Sequence, residues 1–161
     1  MNDAPRLGER TLVLPGRPDA GVYFIGRIRT PWADRSGCPK NANGSDAICV
    51  VEVDPRYAEA LSGVEAASHL ILLYWMDRAR RDLAIQMPRH HARPRGTFSV
   101  RSPARPNPVA LSVVRLVERA GTTLRVVGLD CLDGTPLLDI KPYLPSVDSR
   151  PEATMVPASD P

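Results

Sequence analysis

Seventeen prolines interrupt a chain of 161 residues, well above the usual share of about 5%, and they fall in short runs between apolar stretches. A proline inside a helix removes one hydrogen bond and clashes with the preceding turn. Long helices are therefore excluded over most of the chain, and short strands joined by turns are the structures left to it. The length suits one domain with one core.

The apolar stretches read accordingly. Val22 to Arg29 is β-branched and aromatic, alternates from Ile25, and predicts a half-buried strand that stops at Pro31. Trp32 to Gly44 is rich in turn-formers and predicts a surface loop. Ile48 to Val53 predicts a second strand, and Asp54 followed by Pro55 predicts the cap and first position of one short helix ending near Gly63. Leu70 to Met76 is an unbroken apolar run, which predicts a strand buried on both faces. Gly96 to Val100, Val109 to Glu118, Thr122 to Leu129 and Leu137 to Ile140 complete the set, with Arg119 to Gly121 as a hairpin loop. Strands so short and closely spaced are expected to close on themselves, since closure removes exposed edges. The fold class expected is mainly β: an antiparallel seven-stranded β-barrel with one short helix, spanning residues 21–148. Residues 1–20 form an N-terminal arm in which Thr11 to Leu14 offers an edge strand, and residues 149–161 read as a disordered tail.

No stretch reaches the roughly 18 apolar residues of a membrane helix, and Pro5 and Arg6 stand where a signal peptide would be apolar. The sequence thus reads as that of a cytoplasmic protein with no membrane partner. Cys38, Cys49 and Cys131 are widely spaced and lack a CxxC pair, so they read as reduced thiols. His90 and His91 have no partner at metal-ligand spacing, and no metal is expected. Arginines crowd the stretch from Arg78 to Arg95 although net charge is only +3; this is either a solvated loop or a surface for an anion such as RNA.

Two segments carry chemistry. Arg101 to Pro108 holds three prolines in six residues, which stiffens a loop presenting Arg101, Arg105 and Asn107. These arginines either hold a polar ligand or pair with Asp130 and Asp133 to close the barrel end. Leu129 to Pro145 contains the Asp133-Gly134 turn signal and the carboxylates Asp130, Asp133 and Asp139, of which Asp139 pairs or caps near Lys141 in the simplest reading.

The stretches Gly26 to Pro31 (GRIRTP), Ser68 to Trp75 (SHLILLYW), Arg101 to Val113 (RSPARPNPVALSV) and Leu132 to Pro145 (LDGTPLLDIKPYLP) together resemble the TsaA-like family, whose studied members methylate N6 of threonylcarbamoyladenosine in the tRNA anticodon loop. The resemblance implies a seven-stranded barrel that binds S-adenosylmethionine near a homodimer interface, and no GxGxxG follows a strand to suggest a Rossmann site. By motif position it places the cofactor against Pro39, Lys40 and Asn41, against Asp77 and Arg78, and against Arg101, Arg105, Asn107 and Leu111. Val127, Gly128, Leu129 and Asp130 follow, with Asp133 and Thr135 beside them.

Methyl transfer from a sulfonium is an in-line displacement, so alignment does most of the work. Asp133, Asp139 or Tyr143 is then expected to take or orient the proton of the accepting amine. Lys40 and Asn41 stand where the family commonly has Arg-Gln, and Asp77 and Arg78 where it has His-Gln. A lysine does not reproduce an arginine fork, so the acceptor is less determined than the cofactor. A cofactor-binding sensor or an enzyme for another small substrate, without tRNA activity, is the alternative; a nucleic-acid-binding barrel with no cofactor is a third.

Overall fold

The computed structural model describes residues 4–42, 45–88 and 93–155. Its main body is a closed antiparallel barrel of six strands, built from β2 (Gly26–Arg29), β3 (Cys49–Val53), β4 (His69–Trp75), β7 (Val109–Ala120), β8 (Thr123–Val127) and β9 (Thr135–Pro142). A three-stranded side sheet joins β1 (Arg10–Thr11), β5 (Leu83–Gln86) and β6 (Arg95–Gly96) in the order β1-β5-β6. Around the barrel the order is β2-β3-β8-β7-β4-β9, and β9 returns to β2 through Ile28 opposite Thr135.

The barrel interior follows from the period of two along each strand. Leu70, Leu72 and Tyr74 point inward from β4, Val51 from β3, Val114 from β7, Leu124 and Val126 from β8, and Leu137 from β9. Burying a leucine of this kind stabilises by about 1.5–3 kcal/mol. The β7–β8 hairpin turns at Gly121, whose φ of 61° is the left-handed conformation that glycine adopts without strain.

The barrel has six strands, where seven are expected from the apolar stretches. The stretch from Gly96 to Val100 does not enter it: Arg95–Gly96 pairs with β5, and Thr97–Ser99 then coils into a 3-10 turn. Conversely, the arginine-rich excursion is not a bare loop, because Leu83–Gln86 within it forms the central strand of the side sheet. The edge strand of the arm forms at Arg10–Thr11, just ahead of the Thr11 to Leu14 stretch. β2 begins at Gly26, and Val22 to Phe24 stay exposed outside the ladder. β4 is fully buried only on its inward face; Ile71, Leu73 and Trp75 are half-buried.

Asp54 caps the following helix by accepting from the Arg56 amide, and Pro55 opens it, but its winding is 3-10 through Leu61. A 3-10 turn at Val64–Ala66 follows it, and a four-residue α-helix, α1 (Pro145–Asp148), follows β9, where one short helix is expected in all. Ala153 N–H bonds back to Arg150 O within the stretch expected as a tail; residues 156–161 of that stretch, like His90 and His91, lie outside the described residues. Among the described residues no helix is long and apolar enough to cross a membrane.

Candidate functional site: a cleft at one barrel end

A cleft of about 950 Å³ opens where β4 ends and β7 begins. Its floor is made by inward-facing groups at the ends of strands: Tyr74 of β4, Ser112 of β7 and Thr135 of β9, with Asp130 from the segment between β8 and β9. The Tyr74 hydroxyl lies 2.8 Å from Ser112 Oγ and donates to Asp130 Oδ1 at 2.9 Å. Burial and the nearby Asp130 charge push the Tyr74 phenol far above its ordinary pKa, so it stays protonated.

One wall is the proline-stiffened loop. Arg105 turns back on its own loop, donating from Nε to Ser102 O at 2.8 Å and from a terminal nitrogen to Val100 O. Among the described residues Arg101 makes one long hydrogen bond, 3.4 Å to Leu111 O, and it stays exposed. The side sheet braces this wall from behind: the buried Gln86 amide donates to Ala104 O and to Thr97 Oγ1, and Arg81 Nε donates to Pro106 O at 2.6 Å. Arg81 also stands 5.4 Å above the Trp75 ring. The opposite wall is the first loop, with Cys38 Sγ donating to Asp130 O at 3.0 Å. The Cys38 thiol is pushed up by burial, which leaves it a weak nucleophile.

Of the residues singled out in the sequence, Pro39, Lys40 and Asn41 line the cleft from the first loop and Asp77 and Arg78 from the end of β4. Arg101, Arg105, Leu111, Asp130 and Thr135 line it as well. Asn107 is exposed and lies outside the cleft lining, because its carbonyl accepts from Val109 N–H as the chain turns into β7. Leu129 is buried in the core; Val127 ends β8, and Gly128 takes a φ of 107° with its backbone against Val113. None of these three lines the cleft.

Asp133 also sits outside the lining: it accepts from the Thr30 amide at 3.1 Å and lies 4.0 Å from Arg29. Asp139 forms a 2.6 Å ion pair with Lys141. The Tyr143 amide bonds His69 O at the far end of β4 from the cleft, about 20 Å along a strand of this length. The pairing of Arg101 and Arg105 with Asp130 and Asp133 does not form; those arginines bond backbone carbonyls instead. Among the described residues no three His, Cys, Asp or Glu side chains are grouped to hold a metal ion, and all three cysteines are free.

Tyr74 and Ser112 are site residues that the sequence pattern did not single out. The available signal was a hydroxyl at inward positions of two otherwise apolar alternating strands.

A family model described as the tRNA-methyltransferase O N-terminal domain matches residues 27–149. A protein of Rhizobium radiobacter named "Probable S-adenosyl-L-methionine-binding protein VirR" is 44% identical over 137 residues, covering 85% of this chain and 78% of that protein. The Escherichia coli tRNA (adenine(37)-N6)-methyltransferase is 35% identical over 144 residues, covering 81% of this chain but only 60% of the enzyme. The crystal structure of TrmO from Pseudomonas aeruginosa superposes with a TM-score of 0.71 at 35% identity, over 85% of this chain and 61% of that one. With the match running through β2 to β9 and across every segment of the cleft, the chain belongs to the tRNA-methyltransferase O N-terminal domain family.

Proposed function

We propose that this chain binds S-adenosylmethionine in the cleft and transfers its methyl group to N6 of an adenosine in tRNA, the threonylcarbamoyladenosine of the anticodon loop. The observation that carries this reading is the gathering of Pro39–Asn41, Asp77–Arg78, Arg101, Leu111 and Asp130 into one cleft, in a chain whose relatives include a tRNA (adenine(37)-N6)-methyltransferase. The cleft volume lies in the usual range for small-molecule sites, roughly 300–1,000 Å³. Its side chains also fit a zwitterionic nucleoside: Arg78 and Arg101 for a carboxylate, and Asp77 and Asp130 for an ammonium group or ribose hydroxyls.

The cofactor's sulfonium supplies an activated methyl, so the residues here need only hold and align. The stiff Arg101–Pro108 loop and the Tyr74-anchored Asp130 do that without reorganising on binding. Asp77 and Asp130 are the carboxylates within the cleft and so stand nearer to an accepting amine than Asp133, Asp139 or Tyr143. Arg35 and Lys40 at the mouth have no carboxylate partner among the described residues, whereas Arg29, Arg56, Arg119 and Arg125 elsewhere are each ion-paired. Unmatched cations beside a cofactor that is itself cationic favour a phosphate-bearing acceptor. A tRNA acceptor would place the protein in the cytoplasm.

A homodimer fits the outer face of β7, where Val109, Leu111, Val113 and Val117 form an apolar stripe 40–44% exposed. Val109 and Leu111 also line the cleft, so a second copy seated there would border the site. Sedimentation of the wild type beside Val113→Glu tests this.

One observation favours the second reading, cofactor binding without tRNA activity: relatives covered over 78–90% of their length are named for S-adenosylmethionine binding alone. Incorporation of labelled methyl from S-adenosylmethionine into tRNA carrying threonylcarbamoyladenosine, and not into tRNA lacking it, supports the methyltransferase. Cofactor binding with no incorporation supports the sensor.

A further inference from the structure

The barrel interior is almost wholly apolar: Ile28, Val51, Leu70, Leu72, Leu124 and Leu137 are fully buried around Tyr74. A phenylalanine would fill the Tyr74 space without burying a hydroxyl, and a buried hydroxyl is costly unless it is bonded. Here the hydroxyl is bonded, and its direction can be assigned. Tyr74 has one proton and gives it to Asp130 Oδ1. Ser112, 2.8 Å away on β7, must then donate its own proton to Tyr74 Oη. The chain of bonds runs Ser112 to Tyr74 to Asp130, and it ends on Asp130 Oδ2, which has no partner among the described residues. Asp130 is half-buried and lines the cleft.

We infer that Tyr74 is a positioning residue: with Ser112 behind it, it locks the Asp130 carboxylate so that its second oxygen is presented, already oriented, to a hydrogen-bond donor of the bound nucleoside. The inference rests on the cofactor-binding reading of the cleft. Two independent strands, β4 and β7, fix the hydroxyls, and their register sets Leu72 opposite Ser112 and Tyr74 opposite Ala110. The carboxylate therefore does not search rotamers when ligand arrives, and the entropic cost of ordering a free side chain is avoided. Accepting from Ser112 also polarises the Tyr74 O–H into a stronger donor, which holds the carboxylate more firmly.

The test is a double-mutant cycle read by calorimetric titration with S-adenosylhomocysteine, on wild type, Tyr74→Phe, Asp130→Asn and the double variant. Tyr74→Phe keeps the ring in the core and is expected to weaken binding about tenfold. In the Asp130→Asn background the same change is expected to have no further effect, since Tyr74 acts through that carboxylate. Wild-type affinity in Tyr74→Phe, or effects that multiply in the double variant, overturns the inference. A readout independent of ligand is the Raman Fermi doublet of tyrosine, taken as the difference between wild type and Tyr74→Phe. A strong hydrogen-bond donor signature is expected that weakens in Asp130→Asn, whose neutral amide oxygen accepts less strongly than a carboxylate, and is lost in Asp130→Ala; a signature unchanged by Asp130→Ala overturns the lock. If the wild type binds no nucleoside, the cofactor reading fails, and the Raman comparison still decides whether Tyr74 holds Asp130.

Discussion

Gly26 lies directly beneath the Glu52 carbonyl: a Cβ placed on Gly26 would stand 2.1 Å from Glu52 O and 3.0 Å from Val53 Cα. Both contacts are backbone, so neither can swing aside. The absence of a side chain at Gly26 lets β2 approach β3 in the register that sets Gly26 opposite Val53 and Ile28 opposite Val51. Gly26→Ala is therefore expected to destabilise the barrel by about 3 kcal/mol, seen as a lower urea midpoint with unchanged slope. Gly16 is the control, because a Cβ there would meet nothing within 4 Å, and Gly16→Ala should leave the midpoint in place.

Arg101 reaches into the cleft with one long bond to Leu111 O. It contributes little to folding, so Arg101→Ala should shift the melting temperature by no more than a degree or two, while titration shows cofactor affinity reduced about tenfold or more. A large loss of stability would instead mean that the guanidinium is structural.

Gln86 ties the side sheet to the stiff loop through Thr97 Oγ1 and Ala104 O. Gln86→Leu removes both donated bonds and leaves the half-buried Ala104 carbonyl without this partner. A stability loss of about 1–3 kcal/mol is expected, with weaker cofactor binding because the Ser102–Arg105 wall loosens. Unchanged affinity would show that the loop is held by its prolines alone.

Burial pushes Cys131 up to about 12 and Cys49 up to about 11, from the ordinary thiol value of 9.0. Thiols with raised folded-state pKa values contribute stability that is complete below pH 9 and is lost as pH rises towards 11 and then 12, because the unfolded chain ionises first. Denaturant midpoints should accordingly fall above pH 9, and fall less steeply in Cys131→Ala. Both thiols should also resist alkylation in the native protein at pH 8.

Asp139 is held by Lys141, and Tyr143 lies beside His69 at the other end of β4. Asp139→Asn and Tyr143→Phe are expected to leave cofactor affinity within a factor of two, measured by the same titration. A tenfold loss in either would extend the site beyond the cleft.

The composition of the chain determines much of this by itself. Prolines exclude long helices, alternation from Ile25 marks Ile28 of β2 as inward, and Asp54-Pro55 starts a short helix where expected. The four motifs carry the family, because a stiff polar loop and an Asp-rich turn between strands leave a residue-level trace. Strand number could not be read locally: Gly96–Val100 and Leu83–Gln86 have similar apolar character, and only pairing partners decide that Arg95–Gly96 and Leu83–Gln86 join a side sheet and not the barrel. The same holds within the site. Arg101, Asp130 and Lys40 announce themselves by charge, but Asp133 and Asp139 are equally charged and are turned away by Thr30 and Lys141. Tyr74 and Ser112 lie 38 positions apart, and it is the antiparallel pairing of β4 with β7, with Leu72 opposite Ser112 and Tyr74 opposite Ala110, that makes them a single hydrogen-bonded support beneath Asp130.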